Sequence, residues 1–325
     1  FFKQKTAYES SLGLVGSEMC IRDRLGTAMP KSIINFGSLN IDHVYGVLDF
    51  VQPGETLASH DYKQFVGGKG LNQSIALARA GADVFHVGCI GKEGALLKKT
   101  LKENNINVAN VIETDAPSGH AIIQVNARGE NCIILHGGAN QCTDLDFLNS
   151  AMESSSQAGW LLLQNETNNI AEMIDYASER QMMIAFNPAP MSEQVLRYPL
   201  DKVDLLILNE TEAAALTQKQ GIDVILSCLR DRYPSIQVVL TLGENGSIYQ
   251  DSKKIIKTDS TRVEVVDTTA AGDTFIGYFI AELSLGSAIE QCMEIASLAA
   301  AKCIQRAGAS ISIPYRSEIE SVGEY

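Results

Sequence analysis

Short apolar runs rich in branched side chains alternate with helical patterns along most of this 325-residue chain. That order predicts an α/β fold: a mainly parallel sheet with helices on both faces, plus a small second β-sheet. Strand-length runs lie at 32–36, 84–89, 160–163, 182–186, 203–208 and 238–242. Helical periodicity follows most of them, at 71–80, 95–104, 169–179, 210–216 and 224–232, and two long Ala-rich helices close the chain at 272–285 and 287–305. Two stretches break the rhythm. Residues 43–50 and 59–66 flank a Pro53-Gly54 turn, and 121–126 and 131–135 alternate around Arg128-Gly129, so both read as antiparallel ribbons. Ligands of α/β sheets bind beyond the carboxyl ends of the strands, where such ribbons would close as a lid; surface hairpins without function are the plainer reading.

Composition narrows the function classes. Lys+Arg 26 against Asp+Glu 39 gives a formal charge of −13, with no basic run to follow a phosphate backbone, so nucleic acid is not an expected partner. No apolar run approaches the roughly 18 residues of a membrane helix, and no membrane partner is expected. Seven dispersed cysteines without a C-x-x-C pair suit free thiols in a reducing, cytoplasmic setting. Residues 1–28 lack a sustained period, a signal-peptide core and a cleavage site, and resemble translated sequencing-adapter read-through. Met29 is therefore the expected native start, and the expected organisation is an extension at 1–28 and one domain over 29–325.

Four stretches carry chemistry. In 265–275, Ala270, Ala271 and Gly272 open a long helix with Asp273 in its first turn. Small residues there let an anion reach bare N–H groups, and Asp273 is placed to take a proton; simple helix capping uses the same pattern. Gly67-Gly68-Lys69-Gly70-Leu71-Asn72-Gln73 also opens a helix. Its glycines permit close ligand approach and Asn72 offers a donor and an acceptor, although a plain helix entry looks alike. G-x-x-x-x-G-K-[ST] is absent. Asn40 and Asp42, two apart after the first strand, project to one side of an extended chain and can bracket adjacent hydroxyls, or form an Asx-rich turn. Asn209 and Glu212 share a helical face suited to a hydrated Mg²⁺, and equally make a capping box. Thr241–Gly246 and Gln164-Asn165-Glu166 end two further strands.

In order and together, these stretches resemble the ribokinase branch of the PfkB-type carbohydrate kinase family over essentially 29–325. GGKGLNQS at 67–74 and DTTAAGDTF at 267–275 are the diagnostic segments, with NPAP at 187–190, NETE at 209–212 and TLGENG at 241–246 between them. The resemblance implies a three-layer α/β/α ribokinase-like fold whose β-lid, from about 43–66 and 118–137, also forms a homodimer interface. It implies ATP-dependent transfer of a phosphoryl group to the 5-hydroxyl of D-ribose; 2-deoxyribose, fructose or a nucleoside are the related acceptors, and a non-catalytic sugar-binding regulator is the alternative outside enzymes. Asp273 is then the general base, and the amides of Ala270, Ala271 and Gly272 are the anion hole. The sugar is held by Asn40, Asp42, Gly67, Gly68, Lys69, Asn72, Glu166 and Asp273. ATP lies along Asn209, Thr241, Leu242, Gly243, Glu244, Asn245, Gly246, Gly272 and Ser297. Mg²⁺ is organised by Asn209 and Glu212, mainly through water, and K⁺ by Asp267, Thr269, Cys303, Arg306, Gly308 and Ser312.

Overall fold

In a computed structural model the described residues are 32–155 and 158–320, so the expected extension and start at Met29 lie outside them. The chain begins with β1 (Ile33–Phe36), then β2 (Asn40–Gly46), β3 (Asp61–Gly67) and α1 (Lys69–Arg79). It continues through β4 (Val84–Ile90), α2 (Ala95–Glu103), β5 (Val111–Glu113), β6 (Gly119–Val125), β7 (Asn131–His136) and α3 (Leu145–Ser154). Next come β8 (Trp160–Gln164), α4 (Ile170–Glu179), β9 (Met183–Asn187), β10 (Leu205–Asn209), α5 (Glu210–Thr217) and α6 (Ile222–Arg232). The described chain ends with β11 (Gln237–Thr241), β12 (Ser247–Gln250), β13 (Ile255–Thr258), α7 (Ala271–Ser284), α8 (Ile289–Cys303) and α9 (Arg316–Glu320).

The main sheet runs β13-β12-β11-β10-β9-β8-β1-β4-β5 and is parallel from β11 to β5. Its continuous apolar strands follow from burial on both faces. Ile33, Trp160, Leu162, Leu205 and Val239 pack with α1, α2, α7 and α8, whereas Ile34, Leu161, Leu163, Leu206 and Leu240 pack with α3 to α6. Successive residues of a strand therefore serve opposite cores, which makes the body three layers deep.

β3-β2-β6-β7 form the second sheet. The two expected ribbons are joined by a parallel β2–β6 pairing, so they make one sheet. β2 starts at Asn40 and stops at Gly46, earlier than the sequence pattern suggests, because it pairs on both edges and opens opposite Gly67 and Gly119. Residues 47–60, with the Pro53-Gly54 turn, leave the ladder as a long loop. The β12–β13 hairpin and β5 had no sequence counterpart: three or four residues are too few to establish a period.

α7 is buried from Asp273 to Leu283 and packs against α8 and α1. Gly277 sets the α1–α7 separation, since a Cβ there would lie 2.3 Å from the Ala76 Cβ and 2.8 Å from the Leu77 amide nitrogen. Gly277→Ala is expected to lower stability by about 1–3 kcal/mol through overpacking. A urea midpoint equal to wild type would contradict this packing. Among the described residues no helix is long and apolar enough to cross a membrane, and all six cysteines are free thiols.

Candidate active site

The long helix α7 begins where the small residues of 270–272 leave its first turn bare. Ala270 adopts φ 61°, a left-handed conformation that turns the loop into the helix. Thr274 N–H donates to the Ala270 carbonyl at 2.8 Å, and the Ala271 amide donates to the Thr268 carbonyl at 3.2 Å. Of the three amides expected to face an anion, that of Ala271 is thus engaged in a turn in this geometry. A Cβ placed on Gly272 meets nothing within 4 Å, so the helix mouth is open at that residue.

Asp273, in that first turn, is 8% exposed. Asn72 Nδ2 donates to its Oδ2 at 3.0 Å and Gln73 Nε2 donates to its Oδ1 at 2.9 Å. α1 delivers both amides because Gly70 lets its first turn press against the Gly37-Ser38 backbone, with Leu71 N–H donating to the Ser38 carbonyl at 2.9 Å. Lys69, at the start of α1, lies in the field of three carboxylates. The charge of Asp273 leads in raising its pKa, burial opposes, and Glu166 and Glu212 add to the rise.

The second sheet brings the other polar groups to the same place. Asn40 and Asp42 sit on β2 itself and share a face. Gly67 allows Asp42 in, because a Cβ there would lie 2.1 Å from Asp42 Oδ2, and Gly68 follows at φ 95°. Among the described residues no hydrogen bond reaches the Asp42 carboxylate. Burial, and next the charge of Glu166, push its pKa up to about 7. Glu166, just past β8, accepts from Ser38 Oγ and, at 3.0 Å, from the Lys69 amide; burial still raises its pKa.

Sequence reasoning missed the groups that hold these in place. Asn140 Nδ2 donates to Asn40 Oδ1 at 2.7 Å, while Asn140 Oδ1 accepts from the Leu39 amide at 2.9 Å. Ser38 braces Glu166, and Gln73 and Gln164 back Asp273. Gln73 and Gln164 stand inside motifs already noticed and Ser38 lies two residues before Asn40, whereas Asn140, in a one-turn helix after β7, left no signal beyond the glycines before it.

Asn209 and Glu212 form a capping box on α5: each backbone N–H donates to the other's side chain, at 3.0 and 2.8 Å. One Glu212 oxygen is committed to that cap, leaving the other for a metal-bound water, so the donor set fits a hydrated Mg²⁺. Thr241, Leu242, Gly243, Glu244, Asn245 and Gly246 form the turn from β11 to β12, closed by Leu242 N–H donating to Gly246 O at 2.8 Å. Beside it lies a cavity of about 290 Å³ lined by residues including Leu242, Asn245, Ile248, Lys257 and Thr258. Ser297 is half-buried on α8, which packs on β12 and β13.

Asp267 joins two loops. Its Oδ1 accepts from the Thr269 amide and hydroxyl, at 2.9 and 2.6 Å, and its Oδ2 accepts from the Gly308 amide at 2.9 Å. Burial works against the charge, but these three bonds hold its pKa below the usual carboxylate range. Ser312 Oγ lies 3.1 Å from Cys303 Sγ, whose thiol donates to the Thr269 carbonyl at 3.7 Å. Carbonyls of the 267–269 and 306–308 segments suit a hard monovalent cation. Cys303 fits less well: its carbonyl accepts the Arg306 amide, and its thiol is a soft donor. The Arg306 side chain is paired with Glu318, so only its backbone could contribute. Among the described residues no group of three or more His, Cys, Asp or Glu could hold a metal ion.

The buried Asp273 carboxylate stands at an open helix mouth, and Glu166 feels the charge of Asp273 and is felt in turn by Asp42, so a hydroxyl donor could be held among the three. Residues 30–316 match the family described as pfkB family carbohydrate kinase. The chain belongs to that family. It is 33% identical over 303 residues to the ribokinase of Haemophilus influenzae, covering 89% of this chain and 97% of that protein. It is 36% identical over 304 residues to the bifunctional ribokinase/ribose-5-phosphate isomerase A of Fructilactobacillus sanfranciscensis, covering 90% of this chain but spanning only 56% of that longer protein. The solved structure of Arabidopsis thaliana ribokinase complexed with ribose and ATP superposes with a TM-score of 0.80 at 27% identity, covering 91% of this chain and 100% of that one. A mostly parallel sheet with a smaller second sheet is common to this pfkB family chain and those structural neighbours.

Proposed function

We propose that this pfkB family kinase transfers the γ-phosphoryl group of ATP to the 5-hydroxyl of D-ribose, giving D-ribose 5-phosphate. The observation that carries the reading is the Asp42 carboxylate, half-buried and without a hydrogen bond among the described residues, on the same strand face as Asn40 and close enough to Glu166 to feel its charge. A carboxylate partly withdrawn from water without donors is costly, and adjacent sugar hydroxyls would supply them. The kinship with ribokinases, one of them solved with ribose and ATP, supports the same acceptor.

The geometry supports the following residue roles. Asn40, Asp42, Asn72 and Glu166 orient the sugar, with Gly67 and Gly68 allowing close approach and Lys69 beside them. Asp273 accepts the proton of the attacking hydroxyl. The free amides at the mouth of α7, near Ala270 and Gly272, neutralise the charge that develops on the transferred group, assisted by Lys69. The adenosine end of ATP lies along Thr241–Gly246 and its neighbouring cavity, with Ser297 on the adjoining helix. Asn209 and Glu212 would hold Mg²⁺ through water, supplying electrostatic stabilisation of the phosphates. The carbonyls of Thr269, Arg306 and Gly308, with Asp267 and Ser312, would hold K⁺ and stiffen the loop before α7.

The second sheet is the lid, and a second copy of the chain covers it. The face bearing Asp42 continues into Val44, Ile123, Ile133 and Leu135, the last two 53% and 49% exposed, and the edge strand β7 is exposed throughout. A single domain over 29–325 and a cytoplasmic location complete the reading. The experiment is ADP release with MgATP and D-ribose, against fructose, 2-deoxyribose and adenosine, with K⁺ or Na⁺ as the only monovalent cation. Turnover greatest on ribose and raised by K⁺ is expected. Turnover on another acceptor alone would remove ribose as the substrate.

A further inference from the structure

Both oxygens of Asp273 accept a bond from a neutral amide, but the two amides differ in freedom. Asn72 donates to Oδ2, and its own Oδ1 is buried without a partner, so it can turn toward a ligand. Gln73 cannot. Its Nε2 donates to Asp273 Oδ1 at 2.9 Å and to Asn187 Oδ1 at 3.2 Å, and its Oε1 accepts from Gln164 Nε2 at 2.7 Å. Gln164 Nε2 also donates to Asn35 Oδ1 at 3.0 Å, and Asn35 Nδ2 donates to the Gly70 carbonyl and Ser74 Oγ, both at 2.8 Å. Asn187 Nδ2 donates to the Ile207 carbonyl at 3.0 Å. All four amide side chains are buried. Two backbone carbonyls, which can only accept, end the chain, so its polarity is fixed and Gln73 has to present N–H to the carboxylate.

We propose that Gln73 is the positioning residue for Asp273: it ties Oδ1 into this buried amide chain and leaves Oδ2 as the oxygen that takes the proton. The inference rests on the reading of Asp273 as general base. In the step, the sugar O–H bond breaks and its proton passes to Oδ2. The oxygen forms a bond to the γ-phosphorus, and the bond from that phosphorus to the bridging oxygen breaks, leaving its electron pair on ADP. The charged or titratable groups near Asp273 are Lys69 from α1, Glu166 from the loop after β8 and Cys303 from the end of α8.

The test uses the intact chain with MgATP and D-ribose. Gln73→Met, which removes the donor at similar length, is expected to lower kcat by about a hundredfold, the scale of misplacing a reacting group, with KM for the sugar within about threefold of wild type. Gln73→Glu puts a second carboxyl against Oδ1, and the acid limb of kcat against pH is expected to move up by about one unit. Wild-type kcat together with an unmoved limb would overturn the proposal. Should either variant fail to fold, the wild-type protein decides: the Gln73 side-chain amide protons should resist hydrogen exchange and shift in NMR over the pH range of the acid limb. Rapid exchange without a pH response would overturn the proposal as well. Asp273→Asn run alongside separates the two ideas, because turnover in that variant defeats the base itself, whereas its loss beside unaffected Gln73 variants defeats only the positioning role.

Discussion

Asp273→Asn is expected to retain the fold and sugar binding while losing roughly a thousandfold or more in kcat, the scale of removing a group that handles the transferred proton. The amide is nearly isosteric with the carboxylate it replaces. Its oxygen can still accept from Gln73 Nε2, and its new NH₂ group would face Asn72, whose Oδ1 now lacks a partner and can turn to accept it. The substitution thus costs little packing and no buried bond, and the loss falls on the chemical step. Turnover assays beside calorimetric titration with D-ribose and a urea melt separate the terms. A variant turning over near the wild-type rate would remove Asp273 from the mechanism.

Asp42→Ala is expected to act on binding instead. A carboxylate bracketing two hydroxyls contributes about 1.5–3 kcal/mol per charge-assisted bond, so KM for the sugar should rise at least about a hundredfold with a smaller change in kcat. The same residue sets a pH dependence. With its pKa pushed up to about 7 in the free protein by burial and then by Glu166, Asp42 carries a proton below that pH and must release it before accepting hydroxyls. Sugar affinity is therefore full at about pH 8 and weakens as pH falls through 7, with KM about tenfold higher at pH 6 than at pH 8. Asp42→Asn should flatten that dependence. A wild-type KM unchanged between the two pH values would show that Asp42 does not gate sugar binding.

How far the sequence could be read depends on how local each cause is. The alternation at 160–242 announced the parallel core because every strand there is buried on both sides and each helix follows within a few residues. Both ends of the site, Gly67–Asn72 and Ala270–Asp273, were visible because a helix entry with small residues is a local pattern. Their meeting was not visible. Asn72 and Asp273 are 201 positions apart, and Gln164 and Asn35 are 129 apart, so the bonds joining them exist only once β1, β8, α1 and α7 have packed. Asn140, which holds Asn40 from 100 positions away, is legible only in three dimensions for the same reason. At Asn209 and Glu212 the capping box and the metal reading were both open, and the fold realises the box while leaving one carboxylate oxygen over.

Phosphorus NMR of the product formed from MgATP and D-ribose reports which oxygen receives the phosphoryl group, and so tests transfer to the 5-hydroxyl. A single phosphate ester whose phosphorus couples to the two protons of C5 is expected, together with one equivalent of ADP. An ester coupled to a single ring proton, or ADP formed with no sugar phosphate, would contradict that transfer.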